Sequence, residues 1–162
     1  MKSRWLALGL ALVGAAALAL SSIEAWWVAG EAAIGPFGTH HCFGGDCKST
    51  GLSWLGGTDL WMRAGIATRA AAIIATTLLV LLAGALAARR VPRLVGRTTI
   101  VALAAATVTG AYFVVKFPPP GGEHMARGPF LYAAGIITGA VAAVLVLRLR
   151  VDPSEQGSRG SG

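Results

Sequence analysis

The stretch AAAIIATTLLVLLAGALAA at positions 70–88 runs for 19 residues without a charge, bounded by Arg69 on one side and by Arg89 and Arg90 on the other. At a helical rise of about 1.5 Å per residue it reaches roughly 28 Å, close to the ~30 Å hydrocarbon thickness of a bilayer. Three more uncharged runs have that length: 19 residues at 5–23, 18 at 98–115 and 20 at 128–147. Together they take up nearly half of the 162 residues. The chain is 55% hydrophobic and 13% charged, with a mean hydropathy of +0.66, whereas about a quarter of the residues in a soluble domain carry charge. The pattern predicts an all-α integral membrane protein, a four-helix bundle with a small outer cap that has room for short strands. Helices are expected at about 5–27, 60–88, 98–116 and 128–149, with outer loops at about 28–59 and 117–127, an inner connection at 89–97 and a polar tail at 150–162. No separate catalytic domain fits in what remains.

Orientation follows from the basic residues. Nine of the 14 lie beside one face of the predicted bundle: Lys2 and Arg4, then Arg89, Arg90, Arg93 and Arg97, then Arg148, Arg150 and Arg159. Lys48, Arg63, Arg69, Lys116 and Arg127 lie toward the other. The arginine-rich side is expected to be cytoplasmic, with both termini inside. The net charge of +7 does not indicate a nucleic-acid partner, because the basic residues are split among short segments next to a bilayer and no aromatic residue lies within 89–97. Their expected partner is lipid. Richness in alanine, glycine and arginine suggests a bacterial inner membrane.

The first run also has the basic start and the small-x-small triplet of a signal peptide (Ala17, Leu18, Ala19), but its apolar core continues to Ile23, which favours a retained helix. Small residues recur at every fourth position in three runs: Ala7, Ala11, Ala15 and Ala19; Thr98, Ala102, Ala106 and Gly110; Gly135, Gly139 and Ala143. In lipid, close approach through such stripes is a main source of helix association, either within one chain or between copies. Gly135 and Gly139 are the expected packing residues. The runs hold no histidine and no acidic residue, so no proton relay or haem site stands out and no cofactor is expected. Counting back from the inner end places Arg69 at the outer hydrocarbon boundary, level with Glu24, where the two could pair.

The region after the first run carries the only two cysteines, within GTHHCFGGDCK at 38–48. On an oxidising face, an isolated pair around Gly44 and Gly45 reads first as a Cys42–Cys47 disulfide closing a tight turn. Such a small loop is worth about 2 kcal/mol, so it fixes local shape more than global stability. A second reading is a metal site formed by His40, His41, Cys42 and Cys47, with Asp46 and with His124 from the other outer loop. A third is thiol redox chemistry, although the spacing is not Cys-x-x-Cys and there is no second pair. Trp26, Trp27, Trp54 and Trp61 flank the cysteines and are expected to anchor at the membrane interface.

Four spans with both ends inside, a larger first outer loop opening with Trp26 or Trp27 and holding Cys42 and Cys47, an arginine (Arg63 or Arg69) at the start of the second helix, and a second outer loop with Pro118 to Pro120 together resemble the claudin and peripheral myelin protein superfamily. The Gly-Leu-Trp that precedes the first cysteine in that family has no counterpart here; Gly51, Leu52, Ser53 and Trp54 follow the second cysteine. The resemblance implies a role in lateral association or as an accessory subunit, without catalysis; the missing Gly-Leu-Trp, the closer cysteines and the shorter loop set the chain apart from the family's adhesive outer sheet. The expected function is therefore a non-enzymatic membrane component acting through contacts with other membrane proteins or with itself. The alternatives are an outer-facing metal-binding or thiol-redox factor and a small transporter subunit.

Overall fold

The computed structural model describes residues 2–55, 57–90, 93–117 and 123–149. Its four helices are α1 (Lys2–Ser21), α2 (Asp59–Ala87), α3 (Arg93–Val115) and α4 (Gly128–Arg148), all long and apolar enough to cross a membrane. Between α1 and α2 lie β1 (Trp27–Ala29), β2 (Ala32–Gly35), β3 (Gly38–Phe43), β4 (Asp46–Thr50) and a 3₁₀ turn at Leu52–Leu55. A two-residue strand, β5 (His124–Met125), precedes α4. Pro118 to Pro120 and the polar tail lie outside the described residues.

The helices form a closed ring in which α1 and α3 each pack against both α2 and α4. Small side chains line much of the interior. Ala7, Ala11 and Ala15 are buried on α1, Ala72 and Ala75 on α2, Ala106 on α3, and Ala142 and Ala143 on α4, with Leu18, Leu79, Leu82, Leu86, Leu103 and Val146 filling the space between them. The stripe on α3 is only partly inward: its buried line runs through Gly96, Thr99, Leu103, Ala106 and Gly110, which leaves Thr98 exposed. The outward faces are equally apolar, with Ile66, Ile73, Val80, Val101, Val108 and Ile137 exposed. Helices that are apolar on every side suit a nonpolar surrounding and not water.

Where α1 and α4 meet, backbone touches backbone. A Cβ on Gly14 would lie 2.9 Å from the Gly139 nitrogen and 3.1 Å from the Gly135 oxygen, so Gly135 and Gly139 are spent on packing inside this chain. At the end away from the sheet, Arg4 Nε donates to the Leu86 carbonyl at 2.8 Å and Arg4 Nη2 to that of Ala87 at 3.3 Å. Both carbonyls lie in the last turn of α2, at the negative end of its dipole, and that of Leu86 also accepts the Arg89 N–H at 3.1 Å.

α1 stops at Ser21, short of the expected helix end near residue 27. The Ser21 and Ser22 hydroxyls donate back to the carbonyls of Leu18 and Ala19, both at 2.7 Å. Trp26 Nε1 then donates to the Ser21 carbonyl at 2.9 Å and caps the helix. Hydrophobicity alone therefore overextends this helix, because Trp26 and Trp27 belong to the sheet connection.

The sheet is fully antiparallel, in the order β4-β3-β2-β1-β5. Its three hairpins all have two-residue loops: Gly30 and Glu31, Pro36 and Phe37, Gly44 and Gly45. Gly44 and Gly45 have φ of +61° and +92°, the left-handed pair whose twist matches that of the strands and which side chains with a Cβ disfavour. β5 joins the far edge by pairing Met125 with Trp27 and His124 with Val28. The chain on either side is held too, since Ala126 N–H donates to the Trp26 carbonyl and Gly128 N–H to that of Ala25, both at 2.9 Å. Both inter-helix segments at this end thus share one sheet.

Candidate functional site

The sheet sits on an aromatic plug at the mouth of the bundle. Trp26, Trp61 and Phe113 are at most 1% exposed, and Trp27 and Tyr132 are also buried. Trp27 stacks on Phe117 with ring centres 4.1 Å apart, Trp61 stacks on Phe113 at 5.0 Å, and Trp26 meets Tyr132 at 5.1 Å. The polar edges are satisfied inside the plug: Trp61 Nε1 donates to the Phe113 carbonyl at 3.0 Å and the Tyr132 hydroxyl to the Ala106 carbonyl at 2.7 Å. Glycines make room for the rings. A Cβ on Gly128 would overlap the Trp26 ring, one on Gly110 would come within 2.5 Å of Tyr132, and one on Gly57 within 2.5 Å of Trp61.

This corrects the reading of the tryptophans as interface anchors. Trp26, Trp27 and Trp61 are core residues that fasten the sheet to the helices; the side chain of Trp54 lies outside the described residues. Sequence reasoning misses Phe113 and Tyr132 because their hydrophobic runs explain them equally well as lipid-facing. Gly128 just ahead of Pro129 is the nearest available signal, and it reads as a helix start rather than as a seat for an indole.

At the other edge of the sheet, Cys42 and Cys47 are directly opposite each other in the β3–β4 register, and their Sγ atoms are 2.09 Å apart, a disulfide. His40 lies on the same face, two residues along β3, with Nε2 3.9 Å from Cys42 Sγ and Nδ1 3.0 Å from the Ser49 hydroxyl. One ligand atom from each of His40, Cys42 and Cys47 falls within a 4.8 Å cluster. The other two histidines are not brought to it. Strand alternation turns His41 to the opposite face from His40, and His124 is on β5, three strand spacings or roughly 14 Å from β3. With both sulfurs bonded to each other, the cluster offers no thiolate.

Glu24 follows the end of α1 and Arg69 lies in the third turn of α2; both are exposed, and no ion pair joins them among the described residues. Arg69 lines a groove of about 300 Å³ between the β2–β3 turn, the 3₁₀ turn and α2. Compared with protein-family models, curated proteins and solved structures, the chain matches none.

Proposed function

We propose that this chain is a multi-pass membrane protein whose four helices cross the bilayer, with the sheet outside and the arginine-rich end and both termini in the cytoplasm. It acts without catalysis, through lateral and outer-surface contacts with membrane proteins or with another copy. The observation that carries this reading is the joining of both outer segments into one five-stranded sheet, seated on the buried Trp26–Trp27–Trp61 plug and stapled at its far edge by Cys42–Cys47. So small a cap, tied down at both ends, supplies a rigid recognition surface whose edge strand β4 is exposed along its whole length.

The test is photo-crosslinking in intact membranes from a probe at Ser49 on β4, with a probe at Ile137 on the outward face of α4 as the lateral comparison. Discrete adducts from either position are expected, and two differently tagged copies separate self-contact from a foreign partner. Purely monomeric chain from both probes overturns the reading.

A second reading is favoured by the His40, Cys42 and Cys47 cluster, an outer-facing soft-metal or thiol factor active only when the disulfide is reduced. Stoichiometric zinc or copper(I) binding by the reduced chain, lost in His40→Ala, tests it.

A further inference from the structure

We propose that the groove under the β2–β3 turn binds the headgroup phosphate of an anionic glycerophospholipid, with Arg69 as the counter-charge; this rests on the membrane reading above. The groove is lined by Phe37, Leu52, Ser53, Met62, Ile66 and Arg69, among others, and Arg69 is the one charged residue of the lining among the described residues. Its position on α2 sets the chemistry. Ile66, three residues before it, is 68% exposed, and Ile73, four residues after it, is 54% exposed, so the arginine interrupts an outward apolar face. Arg69 is about 27 Å along α2 from Ala87, which in a bilayer of roughly 30 Å hydrocarbon puts it where acyl chains give way to headgroups. A guanidinium at that depth has lost part of its hydration and needs an anion. The acidic residue expected at its level, Glu24, makes no ion pair with it among the described residues.

Phosphate is the anion available at that depth, and the planar guanidinium fork can hold two of its oxygens at once. Ser53, Met62 and Ile66 share the lining; a serine hydroxyl is a donor suited to phosphate oxygen, and the two apolar residues suit the glycerol end of the acyl chains. A volume of about 300 Å³ is at the small end of ligand pockets; it fits a headgroup and leaves the chains in the bilayer along Ile66 and Ile73. The single positive charge favours a net-anionic lipid over a zwitterionic one, whose ammonium would bring a second cation toward Arg69.

The full chain in detergent would be titrated with phosphatidylglycerol, phosphatidylcholine and inorganic phosphate and read by native mass spectrometry, alongside Arg69→Gln, Arg69→Lys and Ile66→Trp. Phosphatidylglycerol is expected to bind tightest, about tenfold more weakly in Arg69→Gln, with most of the affinity kept in Arg69→Lys. Ile66→Trp fills the groove and leaves the charge, so it should also lose the lipid. Unchanged binding in folded Arg69→Gln or in Ile66→Trp, equal binding of phosphatidylcholine, or displacement of the lipid by equimolar phosphate each overturns the proposal. Carbonate washing of membranes separates the two levels: a chain washed off removes the membrane reading and this proposal with it, whereas a retained chain that fails the lipid comparison removes the proposal alone.

Discussion

Gly14 of α1 and Gly139 of α4 face each other with no side chain between them, and a single methyl on Gly14 would sit 2.9 Å from the Gly139 backbone nitrogen. In a nonpolar surrounding the drive to bury apolar surface is small, so helices gain by approaching until their backbones touch. Overpacking at such a contact costs about 1–3 kcal/mol. Gly14→Leu and Gly139→Leu are expected to lower the melting temperature of the purified protein strongly without altering its oligomeric state. Dissociation of a dimer with the fold intact would place this glycine contact between chains instead. Gly9 and Gly84 have open space where a Cβ would go, so Gly9→Ala and Gly84→Ala should be neutral or stabilise by up to about 1 kcal/mol.

Trp26 caps α1 through Nε1 and fills the seat left by Gly128. Trp26→Phe removes the capping hydrogen bond and is expected to cost about 1 kcal/mol, whereas Trp26→Ala empties the plug and should cost roughly 3–5 kcal/mol. Gly128→Ala should resemble the larger loss. Thermal melts followed by tryptophan fluorescence measure all three.

Removing the staple tests how local it is. Cys42→Ser with Cys47→Ser should cost about 2 kcal/mol and leave the helical circular dichroism unchanged, because the bridged hairpin is held independently by the Gly44–Gly45 turn and by β2. Alkylation before and after reduction should show both sulfurs protected only before. A cooperative loss of helix in the double variant would mean that the sheet and bundle fold as one unit through this bond.

Arg4 reaches across from α1 to the end of α2. Arg4→Gln should destabilise by about 0.5–1 kcal/mol, the usual worth of a cation at a helix C-terminus. Arg4→Lys should recover only part of this, since one ammonium does not reproduce the forked contact to two carbonyls. A melting temperature left unchanged by Arg4→Gln would show that the contact contributes nothing.

Orientation has its own test. A reporter at Arg93 or after Gly162 is expected to be active only in cytoplasmic form, and one near Gly57 only in its outer-side form. Outer-side activity at Arg93 would reverse the proposed topology.

Four helices of spanning length were legible because an uncharged run of about 20 residues has few other uses and the signal is local to each run. The tight turn at Gly44 and Gly45 was legible for the same reason, since two consecutive glycines between β-compatible residues specify a conformation by themselves. Neighbourhood was not. Nothing local distinguishes Trp26, which is buried in a plug, from a tryptophan anchored at a bilayer surface, since both are aromatic residues at the end of an apolar run. The same ambiguity groups His124 with His40 and Cys42, from which three strand spacings separate it.

By itself, the sequence determined the number of helices, the asymmetry of charge between the two ends and the position of the paired cysteines, all properties of short segments read against water and hydrocarbon. Only the tertiary structure decided that α1 ends at Ser21, that Gly14 rather than another copy meets Gly139, and that His124 and Met125 complete a sheet begun nearly a hundred residues earlier. Those outcomes depend on which surfaces fit together at contact distance. Hydropathy gives every apolar face the same value, and packing distinguishes them by shape, down to a missing methyl.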